Sequence, residues 1–148
     1  MKIMSSCFGL LLLVMSCQNA EQEQPAAIEN SEKIVYDMYQ PSEMANLMNA
    51  MYAHNETVKE AILAGEDIGQ FPMDFLEIHT AELSEFKYRN ETFQSFSQLF
   101  ILAQKELYNP DAETSQVSRF NNVVNLCIAC HQTECTGPIS RIKKLHIK

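Results

Sequence analysis

Positive charge is scarce in this chain: 11 Lys and Arg face 19 Asp and Glu, for a formal net charge of -8 and a pI near 4.9. Nucleic-acid binding rests on neutralising phosphates with Lys and Arg, so an acidic chain of this kind is not built for it. Glycine is scarce too, with four in 148 residues, and β-branched runs are few. Apolar residues instead recur at three- and four-residue spacing, which predicts an all-α protein. A membrane-spanning helix needs about 20 consecutive apolar residues, and the run Phe8 to Met15 falls far short of that. Between Cys17 and Cys127 there is no cysteine, so every thiol past the N-terminal region lies in one stretch, NLCIACHQTEC at residues 125–135.

The N-terminus sets the compartment of those thiols. Lys2, the short apolar run and Ser16-Cys17 follow the order of a secretory signal. With Leu13 and Val14 upstream, the stretch resembles the lipobox of bacterial lipoproteins. That resemblance implies a signal peptide at residues 1–16, loss of Cys7, and a lipid on Cys17 as the first residue of the mature chain. A plain signal peptide cut a few residues later is the alternative, and both export the protein. The expected location is the bacterial cell envelope, lipid-anchored and facing the periplasm or the cell surface. Residues 17–33 carry four glutamates, three glutamines and a proline. Such a segment buries too little surface to offset its ordering entropy and is expected to be a flexible tether. Residues 34–148 then suffice for one domain with one core.

The helical pattern predicts four main helices. The first runs from a Ser42 cap to a stop at Gly65, with Met44, Leu47, Met48, Met51, Val58 and Ile62 inward. The second starts near Pro72, buries Phe75, Leu76, Ile78, Leu83 and Phe86, and ends between Lys87 and Asn90. The third spans about Thr92 to Tyr108 with Phe93, Phe96, Leu99, Phe100, Leu102, Ala103 and Leu107, and is closed by Asn109-Pro110. The fourth starts after Asp111 and presents Val117, Phe120, Val123, Val124, Cys127, Cys130 and His131 on one face. Short connections imply an up-down-up-down four-helix bundle. Past Gly137-Pro138, a short C-terminal extension is expected to pack through Ile139, Ile142 and Leu145. Arg141, Lys143, Lys144 and Lys148 form a late basic cluster, either a docking or propionate-facing patch or a solvated helix face.

Cys127, Cys130 and His131 form C-x-x-C-H, which in an exported chain is the attachment signature of c-type haem. Thiols one helical turn apart can add to the two vinyl groups of the porphyrin, and the adjacent imidazole can reach the iron as its proximal ligand. Two alternatives remain. Cys127, Cys130, His131 and Cys135 supply four zinc ligands, though structural zinc sites usually gather two separated pairs. A Cys127–Cys130 redox dithiol would be expected near a βαβ pattern, which is absent.

With its single CxxCH near the end of the last helix, the chain resembles the class II cytochromes c over about residues 34–135. These are the cytochrome c-prime group and its low-spin, methionine-ligated relatives. The resemblance implies one covalent haem c on the fourth helix, with the opposite iron face toward the first. Antiparallel packing sets the end of the last helix beside the start of the first. At about 1.5 Å rise per residue, His131 and Met48 then differ in level by only a few ångströms. The stretch LMNAMYAH, residues 47–54, is similar to the first-helix segment of the low-spin relatives, which implies Met48 as the second axial ligand. Met44 stands where the family often has an arginine for a haem propionate, and the tail GPISRIKKL is not part of the usual family ending.

Methionines at helical spacing also serve as core filler, so Met51, Met44 or an empty sixth position are the alternatives to Met48. His54 lies on a different helical face from Met48, and His79 and His146 are expected to be exposed or otherwise satisfied. Cys135 has no assigned partner: burial beside the porphyrin, cross-linking of two molecules and redox activity all stay open. The expected function is non-enzymatic. A filled His/Met site implies a membrane-tethered electron carrier whose acidic surface meets basic docking surfaces on redox partners, with a homodimer as a family option. A vacant site implies a c-prime-like protein that binds nitric oxide or carbon monoxide.

Overall fold

The computed structural model describes residues 40–85 and 87–148. The expected signal peptide at 1–16, the lipid-bearing Cys17, the tether at 17–33, the first residues of the domain and the apolar position given to Phe86 lie outside the described residues. Among the described residues all regular structure is helical, and no helix is long and apolar enough to cross a membrane. Three long helices, α1 (Glu43–Ala64), α2 (Glu91–Leu107) and α3 (Gln116–Glu134), are accompanied by a 3-10 helix at Met73–His79 and by a C-terminal pair, α4 (Ile139–Ile142) and a 3-10 turn at Lys143–Leu145.

Helix α1 begins and ends as its sequence directs. The Ser42 hydroxyl accepts from the Ala45 N–H at 3.2 Å, which satisfies one of the four N–H groups a helix start leaves free. Gly65 adopts a left-handed φ of 71°, and the Glu66 N–H closes on the Ala61 carbonyl at 2.8 Å. A residue with a Cβ takes that conformation at a cost, so glycine is the natural stop.

The expected second helix is replaced by something shorter. Pro72 does start a helical segment, but it is 3-10 and ends at His79, with irregular backbone at residues 80–85 and 87–90. The cause is competition for backbone groups. The Glu82 carbonyl accepts from the Met44 N–H at 2.9 Å, the Glu82 N–H donates to a Glu43 carboxylate oxygen at 2.8 Å, and the Arg89 guanidinium takes the Ala81 carbonyl. Groups committed in this way to α1 or to the Arg89 side chain cannot also build a helical ladder. At its far end the loop is tied to α3, where Lys87 Nζ donates to the Glu134 carbonyl at 2.7 Å.

On α2 the buried face departs from the apolar pattern. Its seam is Phe93, Ser97, Phe100, Gln104 and Leu107, a spacing of three and four that includes two polar residues. Leu99 and Leu102, expected inward, are 48% and 62% exposed. Ser97 Oγ donates to the Gln94 carbonyl at 2.9 Å and Gln104 Nε2 donates to Asn55 Oδ1 at 3.3 Å, while the buried Gln104 Oε1 has no hydrogen-bond partner. Helix α3 starts four residues later than Asp111, with Ser115 as its N-cap, because Asn109 holds the intervening chain in a turn by accepting from the Asp111 N–H at 3.1 Å. Val117 is consequently exposed, while Phe120, Val123 and Val124 are fully buried against the core.

The C-terminal extension packs as expected through Ile142 and Leu145. Its end is fixed to α3 by one amide: Asn121 Nδ2 donates to the Ile147 carbonyl and Asn121 Oδ1 accepts from the Ile147 N–H, both at 2.9 Å. On the other side Lys59 of α1 donates to the Lys144 carbonyl at 2.6 Å. The tail therefore bridges α1 and α3, whose direct contact is sparse compared with that of α2 and α3.

Phe120→Ala is expected to destabilise the domain by about 3 to 5 kcal/mol, as loss of a fully packed aromatic does. Leu102→Ala should stay within about 0.5 kcal/mol of the wild type, because that side chain is already in water. Urea denaturation midpoints of the two variants separate these outcomes; equal losses would contradict the buried face described for α2.

Candidate functional site

A cavity of about 670 Å³ opens where α1 and α3 stand apart, within the size range of small-molecule and cofactor sites. Its walls are largely apolar. Helix α3 contributes Cys127, Cys130 and His131; α1 contributes Met44, Met48 and Met51; α2 contributes Phe93, Phe96 and Phe100. The clasped loop adds Leu83 and the tail adds Ile142 and Leu145. All four residues expected to hold a haem, Cys127, Cys130, His131 and Met48, face this one space.

The placement of the CxxCH follows from α3 itself. Phe120, Val123 and Val124 begin a stripe that continues through Cys127, Cys130 and His131 at spacings of three and four. Its first half packs into the core and its last two turns line the cavity. Both thiols are held in their neutral form. Burial pushes the Cys127 thiol up to about 12, with Cys130 adding to the shift; burial pushes Cys130 up to about 11, with the Glu134 charge adding to it. A redox dithiol works through a stabilised thiolate, so these surroundings do not favour that chemistry. Nor are Cys127, Cys130, His131 and Cys135 drawn together as a metal cluster: among the described residues no such group of three or more His, Cys, Asp or Glu is gathered.

The His131 ring is oriented by the helix end. Its Nδ1 lies 2.8 Å from the Cys135 carbonyl oxygen. A carbonyl can only accept, so Nδ1 is the donor and Nε2 carries the free lone pair, the tautomer of a metal-ligating histidine supported from behind. The Cys135 side chain is exposed and stands at the rim of the same cavity. On α1, Met44 and Met51 are buried at 7% and 5% exposure, whereas Met48 is only partly buried at the edge of the core.

The other histidines are engaged elsewhere. His54 does not line the cavity; its Nε2 lies 2.6 Å from the Tyr108 hydroxyl and its ring meets Phe75 edge-on at 5.3 Å. His79 is exposed, at 3.4 Å from the Ser97 hydroxyl, and His146 lies 3.4 Å from Asn121 Oδ1. The cavity also contains a residue the sequence did not single out from its neighbours. Arg141 lines the wall, while Lys143, Lys144 and Lys148 are exposed.

Comparison of the chain with family models, with curated proteins and with solved structures finds no match. Assignment of the site therefore rests on its residues and their geometry.

Burial lowers the His54 pKa from its ordinary 6.5 and raises that of Tyr108 to about 12, so the neutral pair is favoured with the hydroxyl donating to Nε2. The unfolded chain takes up a proton at about 6.5 while folded His54 resists it, so its contribution to stability is present above that pH and is lost as pH falls through and below it. His54→Gln should flatten this part of the stability-pH profile, read from denaturation midpoints. An unchanged slope would assign it to other groups.

Proposed function

We propose that the cavity holds one haem c and that the protein is a lipid-anchored, monohaem electron carrier of the bacterial cell envelope. The observation that carries the proposal is the convergence of Cys127, Cys130 and His131 from α3 with Met48 from α1 on a single apolar cavity. The donor set fits the group: two thiols a helical turn apart for the vinyl positions, an imidazole nitrogen with a free lone pair, and a thioether. When bound, haem iron supplies the one-electron couple.

Each residue then has a distinct task. Cys127 and Cys130 fix the group by two thioether bonds. His131 presents Nε2 to the iron and is held at that angle by the Cys135 carbonyl. Met48 would supply a thioether sulfur from α1, while the more deeply buried Met44 and Met51 would fill space around the ring. The phenylalanines of α2 keep water from the site. In this proposal the three long helices and the short segment at Met73–His79 form a shortened version of the antiparallel four-helix bundle of the class II cytochromes c. The motif sits on its last long helix. The net negative charge favours partners with basic docking surfaces, and association should slow as salt rises.

The apolar lining by Phe93, Phe96 and Phe100 gives a second proposal some support: a site in which Met48 is withdrawn and the iron takes nitric oxide or carbon monoxide. One measurement distinguishes the two. The visible spectrum of the reduced protein is recorded before and after addition of carbon monoxide. Sharp, split bands that ignore the gas support the carrier; a broad band that the gas sharpens supports the gas-binding protein. Absence of covalent haem from protein made in an exporting host with haem-attachment machinery overturns both. Met48→Ala should convert a low-spin spectrum to a high-spin, carbon monoxide-binding one, and an unchanged spectrum would remove Met48 from the ligand role.

A further inference from the structure

We infer that Arg141, delivered by the C-terminal extension, is the binding site for a propionate carboxylate of the haem; the inference rests on the proposed function. Arg141 stands on α4, outside the long helices, yet it lines the same cavity as the CxxCH. Its guanidinium lies over the Tyr52 ring at 4.2 Å from the centroid, and Nη2 donates to Asn49 Oδ1 at 2.9 Å. Both partners are neutral. Its Nε is buried and has no hydrogen-bond partner, a feature shared with Arg89 and Arg119; what sets Arg141 apart from them is that it lines the cavity.

Arg141 is half-buried, so its charge reaches a largely apolar wall with only neutral partners, and an anion in the cavity would meet it favourably. Two features make a carboxylate the fitting partner. The fork of an arginine matches the two oxygens of a carboxylate, which a compact ammonium does not. The propionates are the anionic groups of an otherwise apolar porphyrin, so one of them can bring charge into this cavity without a protein carboxylate. Tyr52 and Asn49 act as positioning residues: the ring holds the guanidinium plane by cation–π contact, and the amide uses one outer nitrogen. The cavity's other cation is differently engaged, since Lys87 Nζ donates to the Glu134 carbonyl at 2.7 Å, where its charge suits the negative end of α3.

The consequence is measurable in the holoprotein. A guanidinium beside the propionate holds the carboxyl in its charged form and depresses its pKa. Propionate ionisation is linked to the charge on iron, so it appears as a step in the dependence of reduction potential on pH. In Arg141→Leu that step should move to higher pH, and the potential above it should fall, because a positive charge near the iron has been removed. Arg141→Lys keeps the charge without the fork, packs more conservatively, and should fall between the two. If Arg141→Leu does not load haem, Arg141→Lys decides alone. Variants that carry haem but keep the wild-type step and potential overturn the role of Arg141 and leave the proposed function standing. A wild-type protein that carries no haem overturns both.

Discussion

The free N–H groups at the start of α1 are taken by a neighbouring loop as well as by a cap, and much of the site follows from that. The Glu82 carbonyl on the Met44 N–H, and the Glu43 carboxylate on the Glu82 N–H, pin the loop to the first turn of α1. The same loop reaches the last turn of α3 through Lys87 and Asn90, both of which contact Glu134. The beginning of one long helix is thereby tied to the end of another. Sequence-distant residues, the methionines of α1 and the CxxCH of α3, line one cavity with these two ends held at the same level of the domain.

The wall opposite the clasp is made by the tail. A small domain whose α1 and α3 touch sparsely needs something across the opening, and the tail supplies it with Pro138, Ile142 and Leu145. The backbone of the tail is fixed by Asn121 on α3 and by Lys59 on α1. The extension is thus part of the site and not an appendage to it, and Arg141 arrives in the cavity as a result.

What was legible in the sequence was local. Ser42 and Gly65 mark α1 because capping and left-handed backbone are properties of single residues, and CxxCH states its spacing outright. The segment that starts at Pro72 was not legible, since its apolar residues suit a helix while the Glu82 backbone groups are taken by the first turn of α1 and the Ala81 carbonyl by the Arg89 side chain. The α2 face was misplaced for a related reason. Ser97 and Gln104 are buried, with hydrogen bonds to the Gln94 carbonyl and Asn55, and a search for apolar periodicity passes over them in favour of Leu99 and Leu102. Arg141 was visible only as one of four late basic residues, because a stacking partner such as Tyr52 is not readable from composition.

The support behind His131 is a main-chain carbonyl, and this separates the site into parts that mutation can and cannot tune. Met48 and Arg141 each line the cavity with their own side chain, so a substitution changes what they present there. The acceptor on His131 Nδ1 belongs to the backbone at Cys135, and every amino acid at that position carries the same oxygen. Substituting Cys135 therefore leaves the imidazole's orientation in place for as long as the chain leaves α3 by the same path. Drift at this exposed position can alter thiol chemistry at the surface while the ring one turn away stays where it is.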